Sequence, residues 1–356
     1  MNGNHTVFIT GAAGYVGSML VTQFAKRPDV ARVIGLDKEP LPEILEGEEK
    51  LTYVEMNTAD AWEAVVDSLM PDIVIHSAWQ IREMYGEQDT EWKWNVDGSE
   101  KVFHFALTKE YVRRLVHFST VASYGAFADN TIEHAFTEDE PFRKSEYLYA
   151  EEKRVAEERL QEAWKKRINS ADVSIVRPAA ITGPRGRFSR IRFGLQATLA
   201  GQMKGSIIYR IITAMVAFVP VTPKWVRQFI HEDDVVGIIE RLAFGPRVEG
   251  YEVFNICPPG KVVRGADMAR AVGKRTFLVL PWMVRIPFFI FWHLSRGKVP
   301  TGRGAWRGYS YPIVVDGSKV TTMLGYTYQY AGYDAFYYTN GAYEHVVPQA
   351  MRRTKP

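Results

Sequence analysis

Tyr149 and Lys153 stand four residues apart in a charged, amphipathic stretch, Tyr149 to Trp164, whose periodicity reads as a helix. At that spacing two side chains share one helix face and can reach each other. A free phenol has a pKa of about 10 and is a poor base at neutral pH, but a neighbouring ammonium favours the phenolate and brings it into a useful range. The pair predicts proton transfer at a hydroxyl or carbonyl. Such pairs also fall by chance on solvated helix faces, so the reading depends on what accompanies them.

What accompanies them is a glycine-rich turn, Thr10-Gly11-Ala12-Ala13-Gly14-Tyr15-Val16-Gly17, directly after an apolar strand and at the opening of a helix. Gly11 suits the tight turn, Gly14 lets the backbone approach a pyrophosphate, and Gly17 lets the helix lie close on a sheet. Backbone N–H groups where Tyr15 and Val16 open the helix, with the helix dipole, then hold the anion. Asp37 lies 20 residues beyond Gly17 at the end of a second strand, where a carboxylate binds ribose hydroxyls and repels a 2′-phosphate. NAD is therefore expected rather than NADP, although adjacent Lys38 works against that preference. No Lys-Ser/Thr pair follows the glycines, which excludes a nucleotide-hydrolysing P-loop.

The elements that must position these residues alternate between short β-branched runs and helical patterns. Strands are expected at Thr6 to Thr10, Arg32 to Asp37, Asp72 to Ser77, Leu115 to Ser119 and Val173 to Arg177, with helices at Gly17 to Lys26 and Tyr149 to Trp164. That order predicts an α/β fold, a doubly wound parallel sheet of the Rossmann type with strands buried on both faces. Residues 1–184 form the expected nucleotide-binding domain, its sheet completed by about 228–256, and 185–356 supply mainly a smaller C-terminal substrate-binding lobe. Phe229-Ile230-His231 followed by Glu232-Asp233-Asp234 reads as a strand entering a helix whose first turn is acidic, as the dipole favours. The tyrosine-rich end, from Tyr326 to Tyr343, is expected to serve packing or subunit contact.

The 356 residues are 46% hydrophobic and 24% charged, which excludes disorder as the main state. Forty-four basic against 41 acidic side chains leave +3, too little surplus for a nucleic-acid partner. The single cysteine, Cys257, can form no internal disulfide, and the polar N-terminus lacks a signal-peptide core, so a cytoplasmic location is expected. The apolar window Thr276 to Leu294 is broken by Pro281, Arg285 and Pro287 and is expected to pack in a core and not to span a membrane. Ile211 to Val221 reads as a short buried or interfacial helix. Peripheral membrane contact or a cover over a greasy substrate are the other readings of these runs. No metal is expected, and His76 and His231 are expected to be structural, because neither carries a metal-binding spacing.

Taken together, the chain resembles the extended short-chain dehydrogenase/reductase family, with its NAD-dependent epimerases and dehydratases of nucleotide sugars and its hydroxysteroid-dehydrogenase-like members. The marks are the Thr10 to Gly17 turn, Ile75-His76-Ser77-Ala78, Asn95 to Ser99, Ser119 to Gly125, Tyr149 with Lys153, Arg177-Pro178 ahead of Gly183-Pro184, and Arg227 to His231 leading into Asp233-Asp234. The resemblance implies that Tyr149 is the general acid/base, that Lys153 tunes it and binds a ribose, and that Thr120 holds the substrate oxygen. It implies cofactor contacts for Asn57 and Thr58 near the adenine, for Ser77, Ala78 and Trp79 beside the diphosphate and ribose, for Asn95, and for Pro178 by the nicotinamide. Ser119, Ser123, Ala180, Arg187 and Arg227 are the expected substrate contacts, and Arg185, Arg190 and Arg192 belong to the same basic cluster.

The sugar-nucleotide members commonly carry an asparagine where this chain reads Ala179-Ala180-Ile181-Thr182, and the run from Phe277 to Trp292 is similar to the hydroxysteroid-dehydrogenase-like branch. The implied function is reversible hydride transfer at a hydroxyl-bearing carbon of a small molecule. The substrate is a nucleotide sugar or, alternatively, a lipophilic alcohol; a non-catalytic NAD sensor or scaffold is the third reading. Family members often pair through two long helices, so a homodimer through residues 91–108 and 149–164 is expected.

Overall fold

The computed structural model describes residues 5–189 and 218–355. In chain order the elements are β1 (His5–Thr10), α1 (Tyr15–Ala25), β2 (Val30–Asp37), β3 (Leu51–Glu55), α2 (Glu63–Asp67), β4 (Ile73–His76), α3 (Gln88–Trp92), α4 (Gly98–Thr108), β5 (Arg114–Phe118), α5 (Leu148–Lys165), β6 (Asp172–Pro178), β7 (Ala180–Thr182) and α6 (Pro184–Phe188). After the undescribed stretch come β8 (Phe218–Val221), β9 (Val226–Arg227), β10 (Phe229–His231), α7 (Glu232–Phe244), β11 (Tyr251–Ile256), β12 (Val263–Arg264), α8 (Gly265–Ala271), β13 (Arg275–Leu278), α9 (Pro281–Leu294), α10 (Ser318–Leu324) and α11 (Gly332–Tyr337).

Seven strands form one sheet in the order β11-β6-β5-β4-β1-β2-β3, with β1 parallel to β2 and β4, β2 to β3, and β5 to β4 and β6. The order reverses between β1 and β4, and in such sheets the carboxyl ends of the strands beside the reversal form the ligand crevice. This is the expected doubly wound fold. The strands are apolar along their length because helices cover both faces, and β4 and β6 are buried at every position. Phe8, Trp62 and Phe105 meet at ring separations of 5.2 to 6.1 Å inside a cluster that includes Ile34, Val74, Leu115 and Val173.

The chain divides into two compact units, the first of residues 5–123, 144–177 and 236–254, the second of 124–143, 255–355 and the described parts of 178–235. The second has its own core around Trp225, Phe229, Met268 and Phe336, and three two-stranded sheets, β10-β7, β12-β9 and β13-β8. Its acidic helix start is fully used. Glu232 accepts the backbone N–H groups of Arg185 and Gly186, both at 2.9 Å, Asp233 accepts that of Ala342 at 2.9 Å, and Asp234 accepts the Tyr326 hydroxyl at 2.9 Å. The tyrosine-rich end thus packs as expected, with Tyr330 stacked on His231 at 3.8 Å.

Two expectations are corrected here. The run Thr276 to Leu294 is not core: α9 turns Val284, Phe288 and Trp292 inward, Phe288 against Tyr309 at 5.1 Å, and only Trp292 is fully buried. A helix that is apolar all round meets a single packing surface here and exposes the rest. Of Ile211 to Val221, residues 211–217 lie outside the described residues, and Phe218–Val221 is a strand, paired in parallel with β13, where a helix was expected. No described helix is long and apolar enough to cross a membrane.

Candidate functional site

The crevice side of the first unit is built around the glycine turn. Gly11 has φ +74, and a Cβ there would lie 2.7 Å from the Ala78 backbone; one on Gly17 would lie 2.0 Å from the Gly11 carbonyl oxygen. Only glycine permits this bend and this approach of helix to strand. Helix α1 begins at Tyr15 with no side-chain cap and no acid in its first turn, which leaves its positive end suited to an anion. Asp37 closes the turn from the side: one carboxylate oxygen accepts the Ala13 N–H and the other the Glu39 N–H, each at 3.0 Å. The Lys38 ammonium lies 4.4 Å above the Trp94 ring.

The exit of β4 is tied to that of β1. The Ser77 hydroxyl donates to the Thr10 carbonyl at 2.7 Å, and the Ala78 N–H donates to the Thr10 hydroxyl at 3.3 Å. His76 is bound on both ring nitrogens, by Thr10 and by Ser99 at 2.7 Å each, and burial pushes its pKa down to about 3, so it is a neutral structural group. Burial likewise takes His231 down to about 3. Asn57 uses its side-chain oxygen on the Ala59 N–H at 2.9 Å, and Thr58 donates to the Trp94 carbonyl at 3.3 Å.

Thr120 follows β5 and is buried, while Tyr149 and Lys153 share the start of α5. The Thr120 side chain lies close enough to the Tyr149 hydroxyl to influence its ionisation, which brings two of the expected catalytic groups together. The Lys153 ammonium is buried, donates to the Phe118 carbonyl, and sits 3.5 Å above the Trp79 ring. Burial raises the Tyr149 pKa, with the nearby Thr120 side chain opposing the rise, and burial drives Lys153 well below the ordinary ammonium range. The sequence reading had Lys153 lowering the phenol's pKa. In this structure the ammonium is turned to a carbonyl and an aromatic face, and the phenol stays protonated.

Ser119 has a buried hydroxyl with no hydrogen-bond partner among the described residues, whereas Ser123 donates to the Ala150 carbonyl at 3.1 Å and so fastens β5 to α5. Arg177 forms a buried ion pair with Glu157 at 2.7 Å. In the second unit Pro178 ends β6 and Ala180 starts β7, its N–H donating to the Gln228 carbonyl at 3.1 Å. Arg187 is fully buried and donates to the carbonyls of Gly183, Phe336 and Tyr338. It braces the C-terminal segment, a different role from the substrate contact expected of it. Arg227 is half-buried, its guanidinium 5.4 Å from the Tyr309 ring. Arg190 and Arg192 lie outside the described residues.

With this geometry in place, residues 7–257 match the model of the "NAD dependent epimerase/dehydratase family". The chain belongs to that family. It is 24% identical over 338 residues to the Mycobacterium tuberculosis protein Rv0501, across 93% of this chain and 82% of the relative. Among solved structures it resembles the Bordetella bronchiseptica enzyme WbmG in complex with NAD and UDP, at 23% identity, coverage of 93% and 91%, and TM-score 0.66. It also resembles UDP-glucuronic acid 4-epimerase from Bacillus cereus in complex with UDP-glucuronic acid and NAD, at 17% identity, coverage of 96% and 99%, and TM-score 0.69. At these identities the likeness is one of fold.

Sequence reasoning about this epimerase/dehydratase family member missed two buried carboxyls, Glu152 in α5 beside Lys153 and Glu91 near Glu152. Glu152 accepts from the Asn95 side-chain amide at 2.7 Å, and burial pushes its pKa up to about 8, with Glu91 adding to the rise. Glu91 accepts the Met84 N–H at 2.7 Å and is pushed up to about 7 by burial. Asn95 also exchanges two hydrogen bonds with the Gln80 backbone, at 2.7 and 3.0 Å, and so ties the segment after Trp79 to α5. A signal was present: Glu152 and Lys153 fall on the same face of the helical wheel as Tyr149 and Ala156, the face expected to be covered.

Proposed function

We propose that this enzyme binds NAD and catalyses reversible oxidation and reduction at a hydroxyl-bearing carbon of a nucleotide sugar, as an epimerase or dehydratase. The observation that carries the reading is the placement of Thr120 beside Tyr149, one helical turn from Lys153, in the unit that also holds the glycine turn. The chain's residues fit the dinucleotide: the glycine bend has no room for a Cβ, α1 offers an uncapped and acid-free start, and the Asp37 carboxylate is held beside the turn. In this reading the diphosphate rests at Tyr15 and Val16, a ribose at Asp37, and the second ribose at Lys153. Asn57, Thr58, Ser77, Ala78, Trp79, Asn95 and Pro178 line the rest.

Bound NAD supplies a nicotinamide carbon that accepts and returns hydride. The chain does the rest. Thr120 holds the substrate oxygen, and Tyr149 takes the hydroxyl proton and gives it back. A desolvated ammonium favours a nearby phenolate strongly, so Lys153, once turned from Trp79 towards the ribose, moves Tyr149 into its basic range. Ser119, with its unused hydroxyl, is a second contact for the substrate oxygen. Residues 185–356 supply most of the substrate lobe, with Arg227 as the diphosphate ligand because its charge is not committed to any acid among the described residues.

Two measurements test this. Mass spectrometry of the purified protein should find retained NAD, and calorimetry with a panel of UDP- and dTDP-sugars should find saturable binding and turnover without net NADH. Stoichiometric NADH from sterol-like alcohols, with no response to any nucleotide sugar, would overturn the substrate class. Absence of any NAD binding would overturn the whole reading.

A further inference from the structure

We propose that the outward face of α9, with the adjoining end of β13, is a docking surface for an anionic phospholipid membrane. Trp282, Met283, Ile286, Phe289, Ile290 and Leu294 recur at three- and four-residue spacing on one side of the helix, and all are exposed, Phe289 at 66% and Leu294 at 79%. Phe277, Leu278 and Leu280, just before the helix, are exposed as well. A contiguous apolar surface of this kind on a water-soluble fold marks an interaction site, whereas single exposed apolar residues mark nothing. Phe288 against Tyr309 at 5.1 Å and the Arg285 guanidinium 5.6 Å from the Trp306 ring hold the helix to the turn at 305–309, so the outward face is fixed and not merely frayed.

Charge decides the occupant. Between Asp267 and Asp316 there is no acidic residue, and there are eight basic ones, in a chain whose net charge is only +3. Arg275, Arg285, Arg296 and Lys298 are exposed in this stretch, and Arg285 lies three and four residues from Trp282 and Phe289, on the flank of the apolar face. Aromatic and aliphatic side chains bordered by arginine and lysine match the boundary between acyl chains and anionic headgroups. A second copy of the chain would bring the same cationic border against itself, since a two-fold contact repeats one patch on both partners. The 14 residues of α9 make a helix about 21 Å long, against a hydrocarbon core of roughly 30 Å, so α9 lies in the interface plane and does not cross it.

The test is co-sedimentation of the full chain with vesicles of phosphatidylcholine alone or mixed with phosphatidylglycerol. Binding to the anionic vesicles is expected, with loss at high salt, and Phe289→Asp should weaken it roughly tenfold or more. A thermal melt of that variant checks its folding. Independently of any variant, hydrogen exchange of the wild-type protein should slow at residues 282–294 when anionic vesicles are present. No vesicle binding, equal binding to neutral vesicles, or a self-association dissolved by Phe289→Asp without effect on vesicles would each overturn the proposal.

Discussion

Half of the 18 residues of α5 are charged, yet Glu152, Lys153 and Glu157 are buried; α9 carries a single arginine in 14 residues, yet Trp292 alone is buried. In each helix residue type and burial disagree, and in opposite directions. Burying a charge costs free energy unless partners receive it, and exposing an apolar face forgoes the hydrophobic gain of covering it. In α5 the partners are present: Phe118 and Trp79 for Lys153, Asn95 for Glu152, and Arg177 for Glu157. In α9 no described residue covers the outer face. Departures from local consistency of this sort collect where a protein acts, which agrees with the chemistry proposed for α5 and the recognition proposed for α9.

The largest effect that would sharpen this contrast is in α5. Tyr149→Phe keeps the ring and removes the proton-carrying oxygen, and turnover should fall by ~10² to 10⁴ with bound NAD unchanged, measured by steady-state rates alongside nucleotide extraction. Full activity in this variant would remove the proposed chemistry from α5. In α9 the one buried side chain should dominate stability: Trp292→Ala should cost about 3 to 5 kcal/mol in urea unfolding.

A smaller effect concerns pH. The Glu152 carboxyl has an ordinary value of 4.5 and is held at about 8 in the folded chain. Between those values the native state keeps a proton that the unfolded state has lost, so stability falls as pH rises from about 4.5 to about 8. Glu152→Gln should flatten that decline by at most ~1.4 kcal/mol per pH unit, with the Glu91 contribution, of the same sign, remaining. An unchanged slope in unfolding experiments across this range would show that Glu152 is already charged when folded. The smallest effect is expected on the outer face of α9, where Phe289→Ala should change solution stability by no more than about 0.5 kcal/mol. A loss comparable to that of Trp292→Ala would mean that the face is covered, and the comparison of the two helices would fail.

Five of the seven strands of the doubly wound sheet, the placement of Gly11, Gly14 and Gly17, the position of Asp37 and the shared helix of Tyr149 and Lys153 were legible in the sequence, whereas the edge strands β3 and β11 were not read as strands. Each is a local feature: a run of β-branched residues, a glycine spacing and a helical repeat all act over a few residues. What Lys153 touches was not legible, because Phe118 and Trp79 are 35 and 74 positions away along the chain. Arg187 read as a substrate contact in a basic cluster, but its guanidinium is spent on carbonyls near residues 336 and 338, a pairing that no short window contains. The run ending in α9 read as core for the same reason, since hydropathy reports what a segment prefers and not whether a neighbour exists to cover it. Composition and spacing therefore determined the elements and the kind of chemistry they can support. Tertiary structure alone decided which charges are desolvated and which apolar face is left in water, because both depend on partners brought together only when the chain closes.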